Sequence, residues 1–156
     1  MTGIIVRRAG VDDIGGLARS SAALFAEDGA ARDPLRNRDW PAQHGEQWCA
    51  DLLKDDNALV LVAEAGEDVV GHLIGSFSGA SAMWTGSRAE LVSMHVDAAH
   101  RGCGAGGRLV EDFRTWAQEC GAVRLQVSAY IANQGAVRFY NRHGFAALSI
   151  ELAATP

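Results

Sequence analysis

The sequence is poor in cysteine, in positive charge and in long apolar runs. Its three cysteines, Cys49, Cys103 and Cys120, are scattered and include no CxxC pair. That excludes a disulfide framework and points to a reducing, cytoplasmic setting. Basic residues number 14 against 19 acidic ones, for a net charge of −5. Such a chain does not attract nucleic acid as a whole, so an anionic ligand must be held by a local feature. No apolar stretch reaches the roughly 18 residues that a membrane helix needs. Arg7 and Arg8 are not followed by an apolar run, so no secretory signal is expected. No set of His, Cys, Asp and Glu has metal-ligand spacing, and no metal is expected.

What remains is the composition of a globular protein: 48% hydrophobic and 21% charged over 156 residues. That length predicts a single domain over 1–156, large enough to bury a core without staples. Ile4 to Arg7 opens as a strand. Val11 to about Ala26 has helical spacing through Val11, Ile14 and Leu17, with Asp12 and Asp13 in the first turn. Gly15 and Gly16 each weaken that helix by about 1 kcal/mol against Ala. Asp28 to Trp40 reads as a loop, and a helix runs from Pro41 to Lys54. Ala58–Glu64 and Val69–Phe77 read as a strand hairpin, Ser78–Arg88 as a loop, and Ala89–Val96 as a further strand.

The most telling stretch follows, Val96-Asp97-Ala98-Ala99-His100-Arg101-Gly102-Cys103-Gly104-Ala105-Gly106-Gly107. It reads as a strand end, a Gly-rich turn and a helix start. Such a turn aims unpaired backbone N–H groups at one spot, where the helix dipole favours an anion, most often phosphate. The helix beyond it sets Leu109, Val110, Phe113, Trp116, Ala117 and Cys120 on one stripe and ends at Gly121. Val123–Ser128 alternates as a half-buried strand. Asn133–His143 is a short helix, and Phe145–Leu152 reads as a last strand. The predicted order is β-α-α-β-β-β-α-β-α-β, a mixed α/β layer fold around a central sheet.

Three readings compete for the turn. Gly102, Gly104 and Gly107 satisfy the spacing of a dinucleotide fingerprint. Too few residues follow for a Rossmann domain, however, and Ser128-Ala129-Tyr130 stands where the acidic residue belongs. The Walker pattern fails for want of Gly-Lys-Ser/Thr. A purely structural corner is the second reading.

The third covers nearly the whole chain. Arg101-x-x-Gly104-x-Gly106 resembles the signature of the GCN5-related N-acetyltransferases. About 30 residues on, Asn133-x-x-Ala136-x-x-Phe139-Tyr140-x-x-x-Gly144-Phe145 resembles a second segment of that family. The resemblance implies the family's acyl-CoA N-acyltransferase fold and acetyl transfer from acetyl-CoA to an amine.

By that resemblance the pantetheine arm lies along the strand ending at Val96. That strand and the one starting at Val123 splay apart into a slot. The pyrophosphate sits on the backbone of Gly102, Cys103, Gly104, Ala105 and Gly106, and Arg101 and Arg108 add charge or are plain surface residues. Asn133 bonds the cofactor arm, caps its helix, or both. The Met94 N–H, near a bulge in this strand, takes the thioester carbonyl, while its side chain belongs to the core. Tyr140 is the acid for the leaving thiolate, its competing role being that of a core aromatic. Many members carry the base two residues before Met94, where this chain has Val92. Glu90, two further back and on the same face by period two, is the candidate base acting through water. It competes with the reading of a solvated carboxylate. His95 points to the opposite face from Glu90 unless a bulge reverses it. Cys103 precedes a helix N-terminus, where thiols are acidified, and is a candidate for oxidation or a simple spacer.

The acceptor side, built from the first helices and their loop, offers Glu27, Asp28, Asp33, Asp39 and Trp40 for a cationic amine. Arg32, Arg36 and Arg38 in the same loop roughly cancel the charge. The acceptor is a small-molecule or protein amine. The alternatives are a non-catalytic acyl-CoA-binding module, motivated by Val92, and a nucleotide-binding domain of another fold. A homodimer through the edge of the last strand is also open.

Overall fold

The structure is a computed structural model that describes residues 3–156. Strand β1 spans Ile4–Arg8, β2 Ala58–Ala65, β3 Asp68–Ser78, β4 Arg88–Val96 and β5 Arg124–Val127. They form one sheet in the order β1-β2-β3-β4-β5, antiparallel from β1 to β4, with β5 parallel to β4. The parallel step needs a crossover, which helix α4 (Ala105–Glu119) supplies.

Alternation along β2 shows how the sheet is covered. Leu59, Leu61 and Ala63 enter one core cluster, and Val60 and Val62 enter another on the opposite face. The first cluster is capped by Leu109, Val110, Phe113, Trp116 and Ala117 of α4, as the stripe predicts. Cys120, assigned to that stripe, is exposed, because it lies one residue past α4 as the chain turns into Gly121 at φ +82°. Gly75 belongs to this packing. A Cβ there would meet the Phe113 ring at 2.9 Å, so the helix sits on β3 only because the side chain is missing.

The second cluster is covered by α1 (Ile14–Leu24), through Leu17, and by α3 (Trp40–Leu53), through Cys49. Pro41 lies in the first turn of α3. Between them α1 runs through a π-helical turn, Phe25–Gly29, into the short α2, Ala30–Arg32. The predicted loop therefore begins only at Asp33, and the wide turn re-aims Glu27 and Asp28. Arg7 ties β1 to the start of α1, pairing with Asp13 at 2.8 Å and with Glu64 at 2.7 Å. The last helix, α5, spans Gln134–Arg142.

The predicted last strand does not form. After Gly144, at φ +91°, residues 146–156 pair with no strand and every one is exposed. A β-rich sequence becomes a strand only when a neighbour takes its N–H and C=O groups, and among the described residues no strand pairs with that segment. Among the described residues no helix is long and apolar enough to cross a membrane.

Candidate active site

Two irregularities coincide in β4. Its ladder with β5 runs from Arg88–Arg124 to Leu91–Val127 and stops, while β4 continues to Val96. At that point the pairing with β3 slips, so that Gly75 faces Leu91 and Ile74 faces Ser93. Val92 is the extra residue of a bulge and is 47% exposed. The strands thus part where β4 is kinked, leaving a slot between them.

The bulge also reverses the alternation of side chains. Ala89 and Leu91 before it, and Met94 and Val96 after it, all pack toward the α4 side. Glu90, Ser93 and His95 share the other face. Glu90 therefore does not lie on the face of Met94, as unbroken period two predicts, because one inserted residue flips everything beyond it. His95 joins the face of Glu90.

The Gly-rich turn lies just beyond β4. Gly102 and Gly104 sit at φ +79° and +87°, left-handed conformations that favour glycine. Gly104 is the N-cap of α4, and no side chain caps it. The N–H groups opening the helix at Ala105, Gly106 and Gly107 are thus left for a ligand or water. Gly106 has a packing role besides, since a Cβ there would stand 3.2 Å from the Phe139 ring. Cys103 is exposed and its thiol donates to the His100 carbonyl at 2.6 Å. The arginines are committed elsewhere. Arg101 donates to the Val96 carbonyl at 2.8 Å and to Glu27 at 2.7 Å, and Arg108 donates to the Ile4 carbonyl.

Helix α5 brings in Asn133 and Tyr140. The Asn133 side-chain oxygen accepts from the Ala136 N–H at 3.2 Å, and its amide donates to Asp28 at 3.1 Å. Asp28 also pairs with Arg32 at 2.5 Å. Tyr140 packs edge-on against Phe139 and Phe145. Burial, helped by the Asp28 carboxylate, pushes its phenol up to about 12. It is protonated and neutral at pH 7.

Beneath the bulge lies a polar chain that sequence patterns did not reveal. Ser20 of α1 meets the His72 Nδ1 at 2.6 Å, and the His72 Nε2 meets the Ser93 hydroxyl at 2.8 Å. His72 is fully buried, and desolvation with a neighbouring His95 pushes it down to about 3. His95 is 5% exposed, with Asp97 at 3.7 Å and Glu27 at 3.9 Å. Burial is the largest influence on it and lowers its pKa. The polar residues Ser93 and His95 inside an apolar strand were the available signal. Which face they occupy depended on the bulge.

The acceptor-side residues do not converge. Glu27 is taken by Arg101, Asp33 accepts from the Leu35 N–H as a turn, and Trp40 stacks edge-on with Trp48 inside α3. Asp28 alone of the five reaches the Asn133 end of α5. A groove of about 510 Å³ between α1 and α3 is lined by Ala18, Phe25, Arg38 and Pro41 and by none of the five. Among the described residues no group of His, Cys, Asp and Glu is placed to hold a metal ion.

The model of the acetyltransferase (GNAT) family matches residues 26–145. No curated protein matches the sequence significantly. Among solved structures, a transcriptional regulator from Bacillus halodurans C-125 is 26% identical, with 98% of this chain and 99% of that one covered and a TM-score of 0.78. A predicted acetyltransferase with acetyl-CoA from Clostridium acetobutylicum is 16% identical, with 98% and 96% covered and a TM-score of 0.76. An aminoglycoside N-acetyltransferase in complex with CoA is 14% identical, with 100% and 96% covered and a TM-score of 0.75.

Proposed function

The chain belongs to the acetyltransferase (GNAT) family, and we propose that residues 1–156 act as one domain that moves an acetyl group from acetyl-CoA to a primary amine. The observation that carries this reading is the uncapped N-terminus of α4, behind Gly102 and Gly104, at the mouth of the β4–β5 fork. Backbone N–H groups and positive φ suit a pyrophosphate, and the slot suits a slender arm. In this reading Arg101 and Asn133 border the cofactor. Arg101 then supports the turn through Val96 and Glu27 rather than touching phosphate.

Acetyl-CoA supplies the thioester carbonyl that is attacked and the thiolate that leaves. An alkyl ammonium of pKa about 10.4 must first lose a proton, at a cost of about 4.6 kcal/mol at pH 7. Glu90, on the face it shares with Ser93 and His95, takes it through water. The amine nitrogen then bonds to the carbonyl carbon while the Met94 N–H stabilises the oxyanion. The C–S bond breaks as Tyr140 gives its proton to sulfur, and the nitrogen, now an amide, sheds its remaining extra proton through water to the Tyr140 phenolate. The acceptor is a small-molecule or protein amine. The aminoglycoside transferase among the neighbours supports the small-molecule class. Three free cysteines support a reducing, cytoplasmic setting.

A second reading is a non-catalytic acyl-CoA sensor. It is favoured by Val92 in the bulge and by the neighbour described as a transcriptional regulator. Calorimetric titration with acetyl-CoA, with NAD as control, tests the site. Thiol release over an amine panel then separates the two readings. Micromolar binding with turnover is expected. Binding without turnover on any amine supports the sensor, and no binding removes the cofactor assignment.

A further inference from the structure

Next to Glu90 the sheet carries two arginines side by side. Arg88 lies two positions before Glu90, so period two puts both on one face of β4. On β5, Leu125 and Val127 pack toward α4, which leaves Arg124 and Gln126 on the face of Glu90. The register sets Arg88 beside Arg124 and Glu90 beside Gln126. Trp84, in the loop between β3 and β4, gathers both arginines. Its ring centroid is 3.9 Å from the Arg88 Cζ and 5.8 Å from the Arg124 Cζ. Two adjacent guanidiniums repel, and the indole offsets this only in part. Among the described residues neither forms an ion pair with a carboxylate. Arg124 reaches the Gln126 amide oxygen at 3.5 Å. The Arg88 Nη1 is buried without a hydrogen-bond partner, a cost that an anion between the two arginines removes.

We propose that the acceptor is a ω-amino carboxylic acid, its carboxylate held between Arg88 and Arg124 and its amine beside the water that Glu90 activates. This rests on the transferase reading and names the substrate class of that site. Arg88 and Glu90 are about 7 Å apart along the strand, and the amine lies beyond Glu90 toward Met94. An extended chain covers about 1.2 Å per bond, so the two charged ends are separated by about six bonds or more. An α-amino acid is too short for that span. A second ammonium in place of the carboxylate meets the arginine pair and is rejected. Transfer joins the acetyl group to the amine nitrogen and releases CoA, and the carboxylate takes no part in the chemistry.

The test compares 6-aminohexanoate, hexylamine and 1,6-diaminohexane by thiol release from acetyl-CoA. The native chain is measured beside Arg88→Gln and Arg124→Gln, with thermal melts to confirm folding. Arg124 is exposed, so its variant carries the test if Arg88→Gln does not fold. In the native chain kcat/KM is expected to be about tenfold or more higher for 6-aminohexanoate than for hexylamine, and lowest for the diamine. Each variant should erase most of that preference, chiefly through KM. Equal use of 6-aminohexanoate and hexylamine, or a preference that the variants retain, overturns the proposal and leaves the transferase reading standing. If no amine is acetylated, calorimetric titration of 6-aminohexanoate in the presence of CoA decides. Binding that Arg124→Gln weakens about tenfold upholds the carboxylate site while the transferase reading falls. Absent or unaltered binding overturns both.

Discussion

Asn133 donates to Asp28 across 105 positions of sequence, at 3.1 Å, while its own side-chain oxygen caps α5. One residue thus fixes the start of the helix carrying Tyr140 and ties it to the π turn after α1. Replacing it with Ala removes the cap and leaves Asp28 to Arg32. Asn133→Ala is expected to cost about 1 kcal/mol of stability. Asp28→Asn, which keeps the cap, is expected to cost less. Urea melts of the two variants check this ordering, and equal losses would place the weight on the Asp28 contact.

The proposed acid role of Tyr140 makes a separable prediction. Its phenol lies among Phe139 and Phe145, so Tyr140→Phe keeps the aromatic packing. Turnover should fall by about a hundredfold or more, with acetyl-CoA affinity nearly unchanged. Steady-state kinetics beside calorimetry would show it. Unaltered turnover would return Tyr140 to the core.

The reversal at Val92 puts two proton acceptors, Glu90 and His95, on one face. Glu90 is half-buried and His95 is almost closed off, which favours Glu90 as the group that water reaches. Glu90→Gln is expected to lower turnover by about a hundredfold, and His95→Gln by much less. The pH–rate profile should lose its acidic limb in the first variant alone. The opposite pattern would move the base to His95.

His72 couples stability to pH. It is neutral in the fold, held between the Ser20 and Ser93 hydroxyls, with a pKa of about 3 against 6.5 when free. The unfolded chain therefore binds a proton below pH 6.5 that the folded chain refuses. The stabilisation is complete above pH 6.5 and is lost as pH falls toward 3. From pH 6.5 to 5 the loss should approach about 1.4 kcal/mol per pH unit, with His95 acting in the same direction. Denaturant midpoints measured across that range should fall. In His72→Gln, less stable at pH 7.5, the slope should be shallower.

Most elements were legible because their periodicities are local. The α4 stripe, the β2–β3 hairpin and the Gly-rich turn each follow from neighbouring residues, and glycine at 102 and 104 anticipates positive φ. The motif residues Arg101, Gly104, Asn133 and Tyr140 were picked out by resemblance to the family's two segments, which are local stretches of sequence. The facing of side chains beyond Val92 was not legible, because a bulge near Met94 was expected only by resemblance and its position at Val92 is set by register against β3. Nor did the sequence reveal that Arg101 would turn to Glu27, that Asn133 would reach Asp28, or that His72 would lie between two serines. Each pairs residues distant in sequence. The last strand shows the same division most plainly. Residues 145–152 have strand chemistry, but a strand exists only where another backbone accepts its hydrogen bonds, and that is decided in three dimensions.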